Sequence, residues 1–331
     1  MPPKPRDLDG NYRFGGNNRF GGYAPDTGDP RDRPLIPAPD GSLGEGGPKI
    51  FRAFTAEEAE KQINRLPKDP PPKGDGAGVE DWKVPVVDQL SLESCVSCAI
   101  SSVVNHLEAK AEEASDIEPS RLFLYYNARK MEGTQHDPTV GTGIRTAIKA
   151  LNREGVCDEP LWPYEPDRVT WRPTDEAYDK AIYRNVEYYR IYRLPDRSGE
   201  YELDLKPVRR ALANQIPVIC GFTMFRSGVT VGRDGIIPSE LTPEDLDHRF
   251  FRPVADGGDR PLVPDGLASF GHAAVIIGYK GSTFHLVNSW GTTWGNDGHF
   301  YLDEAYLSSS SLATDFWAIT ALEPRPAKAA Y

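Results

Sequence analysis

The sequence predicts an α+β protein, with helices in its first half and strands in its second. Two patterns carry that expectation. Between residues 94 and 154 apolar residues recur at helical spacing, as Ile100, Val103, Val104 and Leu107, then as Ile144, Ala147, Ile148 and Leu151. After residue 180 the chain turns to short runs rich in Val, Ile, Tyr and Phe, bounded by Gly, Pro and Asn. A chain of 331 residues, 39% of them apolar, can bury one large core or fill two lobes.

Residues 1–79 read as an N-terminal extension. Its first 50 or so are rich in Gly, Pro, Asn and Asp, with a near-repeat of Asn11–Gly16 in Asn17–Gly22, a composition that cannot build its own core. Thr55-Ala56-Glu57-Glu58 is a capping box that opens a short helix to about Leu66, and Lys68–Gly74 forms an extended linker. The extended run Val84–Val87 leads into a helix from Ser94 to about Ala114. A second helix is expected over Pro119–Met131 with Pro119 at the first helical position, and a third over Gly143–Glu154, stopped by Gly155. Cys157–Tyr164 is an aromatic turn. Strands are expected at Asn185–Arg193, Ile216–Phe222, His272–Tyr279, Phe284–Asn288, Gly298–Leu302 and Asp315–Thr320, with a short helix at Pro207–Asn214. Arg226–Ala268 reads as a loop, and loops of that length usually serve a function or move.

The composition excludes several classes. A net charge of −11 argues against nucleic-acid binding built on phosphate neutralisation. No run of about eighteen apolar residues exists to span a membrane. The start, Met1–Asp7, lacks the apolar core of a secretory signal, and four cysteines are too few for a disulfide framework. A reduced, cytoplasmic location is the default, with signal-independent export left open. His106, His136, His248, His285 and His299 show no metal-ligand spacing with Cys or Asp.

Three stretches can carry chemistry. In Asp88–Ala99, Cys95 stands at a loop-to-helix junction, where unpaired N–H groups and the helix dipole favour a thiolate. Gln89, six residues upstream, can donate a side-chain N–H to an acyl oxyanion. Cys98 competes for the nucleophile's part, but it lies a turn inside the helix, where the dipole's benefit has faded. A base must come from downstream, and the candidates lie in Gly271–Tyr279 and Val287–Gly295.

Taken together, Gln89-x4-Ser94-Cys95, then Gly271-His272-Ala273 with Gly278-Tyr279 close behind, then Asn288-Ser289-Trp290-Gly291-x-x-Trp294-Gly295, resemble the papain-like cysteine peptidases, in their bacterial branch. The resemblance covers about residues 80–322, and weakly 22–35. It implies a two-lobed fold, a helical N-terminal lobe and an antiparallel β-rich C-terminal lobe, with the site in the cleft between them. It implies a thioester at Cys95, His272 as general base and acid, Asn288 orienting His272, Gln89 in the oxyanion hole and Trp290 shielding the His–Asn bond. The family's six-residue Gln-to-Cys step favours Cys95 over Cys98. Gly141, Thr142 and Gly143 lie where the family pairs backbone groups with an extended peptide or protein substrate. No metal or organic cofactor is implied. Residues 80–322 would be the catalytic domain and 323–331 a tail.

Two departures stand out: Val96 replaces the family's Trp, and the Cys95-to-His272 interval is long. No multi-helix prodomain is recognisable. The segment 22–35 is expected to pack on the catalytic domain, either inhibiting it by covering the cleft or bracing it elsewhere. Acyl transfer or deamidation through the same thioester, and a silent papain-like binding protein, are the alternative functions.

Overall fold

The computed structural model of the chain describes residues 76–78, 84–110, 117–191, 204–229, 231–238, 269–309 and 312–324. Strand β1 (Gly76–Gly78) precedes helices α1 (Cys95–Lys110), α2 (Arg121–Glu132), α3 (Ile144–Glu154) and α4 (Asp175–Asp179). The second half holds β2 (Tyr183–Arg190), α5 (Lys206–Ala213), β3 (Val218–Phe225), α6 (Arg226–Val229), β4 (Ser269–Lys280), β5 (Thr283–Val287), β6 (His299–Asp303), α7 (Glu304–Ser308) and β7 (Ala313–Pro324). The expected order of helices first and strands after is the order that forms.

Capping residues fix the helix ends. Ser120 is extended and its hydroxyl accepts the Phe123 N–H at 3.2 Å, so α2 starts at Arg121. The expected start with Pro119 at the first helical position is therefore displaced, because Ser120 supplies the capping oxygen. Gly133 ends α2 at φ 77°, a left-handed conformation that costs glycine little. The Cys98 N–H donates to the Ser94 carbonyl at 3.0 Å, which opens α1 and leaves Cys95 as its first residue.

The strands form one antiparallel sheet in the order β2-β7-β3-β4-β5-β6. Successive side chains alternate faces, so each strand feeds two cores. Ile219, Val275, Ile277, Val287, Trp317 and Ile319 pack beneath α1, α2 and α3. Val218, Cys220, Ala274, Ile276, Leu286, Phe316 and Ala318 face the opposite way, onto α5 and α7. Truncating a fully buried aromatic such as Trp317 would cost about 3–5 kcal/mol.

β1 pairs with Gly278–Lys280 of β4, where β3's pairing has ended at Ile276. Gly76 allows this approach, since a Cβ there would come within 2.5 Å of the Tyr279 carbonyl oxygen. The sheet thus extends past the 80–322 limits read from the sequence, through β1 at one end and Glu323 and Pro324 of β7 at the other. The expected helix at 55–66 and the segment 22–35 lie outside the described residues. Of the expected 226–268 loop, the first part forms α6 and a turn in which Ile237 N–H donates to the Tyr301 carbonyl at 3.1 Å. Among the described residues no helix is long and apolar enough to cross a membrane. None of the four cysteines, all described, is in a disulfide.

Candidate active site

Two segments two hundred residues apart are stitched together just before α1. Asp88 and Trp290 form an antiparallel bridge, Gln89 N–H donates to the Ser289 carbonyl at 2.8 Å, and Gly291 N–H donates to the Val87 carbonyl at 3.0 Å. Gly291 sits at φ 71°, and a Cβ there would lie 2.9 Å from the Asp88 carboxylate, so the close approach requires glycine. This seam sets Gln89 beside the turn that carries Asn288.

The Gln89 side chain is held at both ends. Its Oε1 accepts the Ser289 hydroxyl at 2.7 Å and its Nε2 donates to the Leu92 carbonyl at 2.8 Å. Behind it, the Tyr164 hydroxyl donates to the Gln89 carbonyl at 2.8 Å and so accepts the proton of the neighbouring Ser94 hydroxyl. The Arg121 guanidinium lies 4.2 Å over the Tyr164 ring, donates to the Asp88 carbonyl at 3.0 Å and pairs with Glu159 at 2.8 Å. The loop before α1 is thus clamped from two sides.

His272 lies on β4, with its Nε2 2.7 Å from Asn288 Oδ1. The same oxygen accepts the Ser289 backbone N–H at 2.8 Å. A backbone N–H can only donate, so this atom is the amide oxygen, and the Nε2 facing it carries the proton. In the neutral ring Nδ1 is then the lone-pair nitrogen. Nδ1 is buried and makes no hydrogen bond in the structure. Trp290 packs on the imidazole at 4.8 Å between centroids, and Phe222 and Phe270 meet it edge-on at 5.6 and 6.2 Å. Burial in this aromatic box pushes the imidazole down to about 4, against the pull of the Asn288 hydrogen bond.

Cys95 enters from the other side, as the first residue of α1, and belongs to the core that includes Ala273 and Val275 of His272's strand. Cys95 and His272 are both 0% exposed. Cys98 stands a turn deeper, 3.7 Å from the Ser94 hydroxyl, and burial pushes its thiol up to about 11. Burial likewise raises the thiols of Cys157, to about 12, and Cys220.

Gly141, Thr142 and Gly143 stand in the loop before α3. Thr142 Oγ1 and Gly143 N–H donate to Glu132 Oε1 at 2.9 and 3.1 Å, and the Tyr125 hydroxyl donates to the Val140 carbonyl at 2.6 Å. Of the histidines without a motif, His285 and His299 face each other across β5 and β6 at 3.1 Å. Among the described residues no cluster could hold a metal ion. Sequence reasoning missed the two residues that brace Gln89. Ser289 lay within the recognised Asn-Ser-Trp run and Tyr164 within the aromatic turn, but nothing local links either to a glutamine far along the chain.

No protein-family model matches the chain. A protein of Acanthamoeba polyphaga mimivirus, named as an uncharacterised peptidase C1-like protein, is 32% identical over 238 residues, which is 70% of this chain and 68% of the viral one. This chain belongs to the papain-like cysteine peptidases. The solved structure of xylellain, a cysteine protease from Xylella fastidiosa, superposes with a TM-score of 0.62 at 27% identity, over 92% of this chain and 96% of that one. The cysteine protease Amb a 11.0101 of Ambrosia artemisiifolia is 24% identical over 231 residues, 67% of this chain and 49% of the plant protein. The fold of this peptidase is the two-lobed α+β fold that the sequence predicted, and as a cysteine peptidase it is a hydrolase.

Proposed function

We propose that this peptidase cleaves peptide bonds through a thioester at Cys95, using His272, Asn288 and Gln89. The observation that carries the reading is the His272 Nε2 to Asn288 Oδ1 bond at 2.7 Å, whose acceptor is fixed by the Ser289 N–H. It turns the lone pair of Nδ1 into the base and keeps it there. In the first half-reaction Nδ1 takes the Cys95 thiol proton as Sγ attacks the carbonyl carbon. The oxyanion is stabilised by the Gln89 Nε2–H, in an amide whose direction Ser289 and Leu92 already hold. Collapse expels the amine, which leaves with the proton from Nδ1. Water then attacks the thioester, Nδ1 takes its proton, and the thiolate departs and recovers that proton as the acid product leaves. Trp290, packed on the imidazole, keeps water from the His272–Asn288 bond. Of Gly141, Thr142 and Gly143, the first two supply backbone partners for the extended substrate, since the Gly143 N–H is taken by Glu132.

The catalytic unit is the domain read at residues 80–322, with β1 and the end of β7 added to its sheet, and the segment 22–35 ahead of it covers part of its cleft. The resemblance of 22–35 to a segment that precedes the family's catalytic domain supports the second statement.

The residue assignment is tested by Cys95→Ala and Cys98→Ala. The first should abolish both peptide hydrolysis and labelling by a thiol-directed epoxide, and the second should keep both. Labelling that survives Cys95→Ala and vanishes with Cys98→Ala would overturn it.

A further inference from the structure

The strained point of the loop before α1 is Leu90. It adopts φ 51°, a left-handed conformation costly for any residue with a side chain, and it is 44% exposed, so packing does little to hold it. Hydrogen bonds hold it instead. The Leu90 N–H donates to Asp88 Oδ1 at 2.9 Å, and the Gln89 carbonyl accepts the Leu92 N–H at 3.1 Å and the Tyr164 hydroxyl at 2.8 Å. The turn matters because the Leu92 carbonyl that it brings back is the acceptor of Gln89 Nε2. The Gln89 amide is therefore stretched between two anchors, Ser289 on the seam and Leu92 at the end of the strained turn. Of the three bonds on the turn, that from Tyr164 alone comes from outside residues 88–92. Tyr164 is itself firmly placed: its N–H donates to Glu159 Oε1 at 3.1 Å, and Arg121, paired with that same oxygen, stacks on its ring. Burial raises the phenol well above its usual value, so the hydroxyl stays a donor. Its one proton goes to Gln89, so its oxygen takes the Ser94 proton, and the Ser94 oxygen faces the Cys98 thiol at 3.7 Å as that thiol's acceptor. Three groups thus donate in one direction, each polarising the next, and the chain ends on the Gln89 carbonyl.

We propose that Tyr164 is a positioning residue for the oxyanion donor: through the Gln89 carbonyl its hydroxyl holds the Leu90 turn closed and keeps Gln89 Nε2–H aimed at the oxyanion. The inference rests on the thioester reading above. Tyr164 touches neither the substrate nor the reacting atoms. Without its hydroxyl, Leu90 can relax out of the left-handed region, and the Leu92 carbonyl then moves away from Gln89 Nε2. The amide keeps its bond to the Ser289 hydroxyl but turns about it. That misalignment is felt when negative charge builds on the substrate oxygen and not when the substrate binds, so it falls on kcat.

The test compares the full chain with its Tyr164→Phe variant, which keeps the ring under Arg121 and leaves the Gln89 carbonyl with the Leu92 N–H. On peptide substrates kcat should fall about five- to tenfold, the range for one buried hydrogen bond, with KM nearly unchanged. A peptide aldehyde, whose adduct with Cys95 places an oxygen where the oxyanion forms, should bind more weakly by a similar factor. Alkylation of Cys95 by iodoacetamide displaces iodide and builds no oxyanion, so its rate should stay that of wild type. In a Gln89→Ala background, Tyr164→Phe should cost nothing further. An equal slowing of alkylation would mean that the hydroxyl only supports the fold around the thiol, and would overturn the proposal. So would an unchanged kcat, a loss confined to KM, the full loss persisting in Gln89→Ala, or a Tyr164→Phe protein that no longer folds. If wild type hydrolysed no peptide but its aldehyde adduct kept the dependence on Tyr164, the hydrolytic reading would fail and the positioning role would stand. Aldehyde binding that survives Cys95→Ala would overturn both.

Discussion

Replacing Ser289 by Ala removes a single hydroxyl, and the structure says what that hydroxyl does. It donates to Gln89 Oε1 at 2.7 Å, while the Ser289 backbone N–H, which Ala retains, fixes Asn288. On the mechanism proposed above, the substitution therefore loosens the oxyanion donor and leaves the base in place. One such buried bond is worth about 1 kcal/mol net. Spent on aiming the amide in the transition state, that corresponds to roughly a fivefold fall in kcat. Gln89→Ala removes the donor altogether and should lower kcat by about 10²–10³, with less effect on KM. The decisive measurement is the cycle of both variants at saturating peptide, with kcat and KM resolved. If Ser289 acts through Gln89, adding Ser289→Ala to Gln89→Ala should cost nothing further. The same fivefold loss in both backgrounds would refute the reasoning, and so would a change confined to KM.

Three further outcomes follow from burial and from the N-terminal extension. Because burial pushes the His272 imidazole down to about 4, the acid limb of kcat/KM should fall near pH 4, with an alkaline limb where the Cys95–His272 pair loses its one shared proton. An acid limb at the ordinary imidazole value of about 6.5 would show that the base is solvated in the working enzyme. The sign for stability is set by the same shift: the unfolded chain takes up a proton that the buried ring refuses, so the contribution of His272 declines as pH falls from 6.5 towards about 4, which urea unfolding at several pH values will read. Deleting residues 1–35 should speed hydrolysis of small peptides if that segment covers the cleft. A lower melting temperature with unchanged turnover would assign it a bracing role, and a protein as stable and as active as the full chain would refute both.

What the sequence made legible is what local physics controls. The apolar spacing of Ile100, Val103, Val104 and Leu107 is fixed by the 3.6-residue turn, and α1 spans all four. The late strands follow from alternation in the same way. The misses are non-local or depend on a competition between neighbours. Pro119 and Ser120 both suit a helix start, and the Ser120 hydroxyl wins because it satisfies an N–H that proline cannot. β1 was hidden because Gly76, Ala77 and Gly78 carry no strand propensity, and they pair only because β4 presents an edge beyond β3. Arg129 is a buried cation that no local pattern marks, donating to the Asp137 and Val169 carbonyls with its guanidinium 3.9 Å over Tyr125. The bonds from Ser289 and Tyr164 to Gln89 span 200 and 75 residues, and no local pattern announces a contact of that kind.

The two cysteines of the C-x-x-C show how far position outweighs residue type. Both lie on α1 and both are fully buried. A dithiol redox pair needs a thiolate that can attack and a sulfur that can leave, which favours a lowered thiol pKa in at least one member. Cys98 moves the other way: burial raises its thiol to about 11, and the charge of Arg121 and the hydrogen bond with Ser94 offset only part of that. It sits past the first turn, where the helix dipole has faded. Cys95 opens the helix instead, directly after the loop in which the Gln89 amide is held by Leu92 and Ser289. On the proposed assignment, moving the reactive thiol three residues along the helix would keep the helix and lose that amide. The spacing from Gln89 therefore carries more chemical information than the cysteine pair itself.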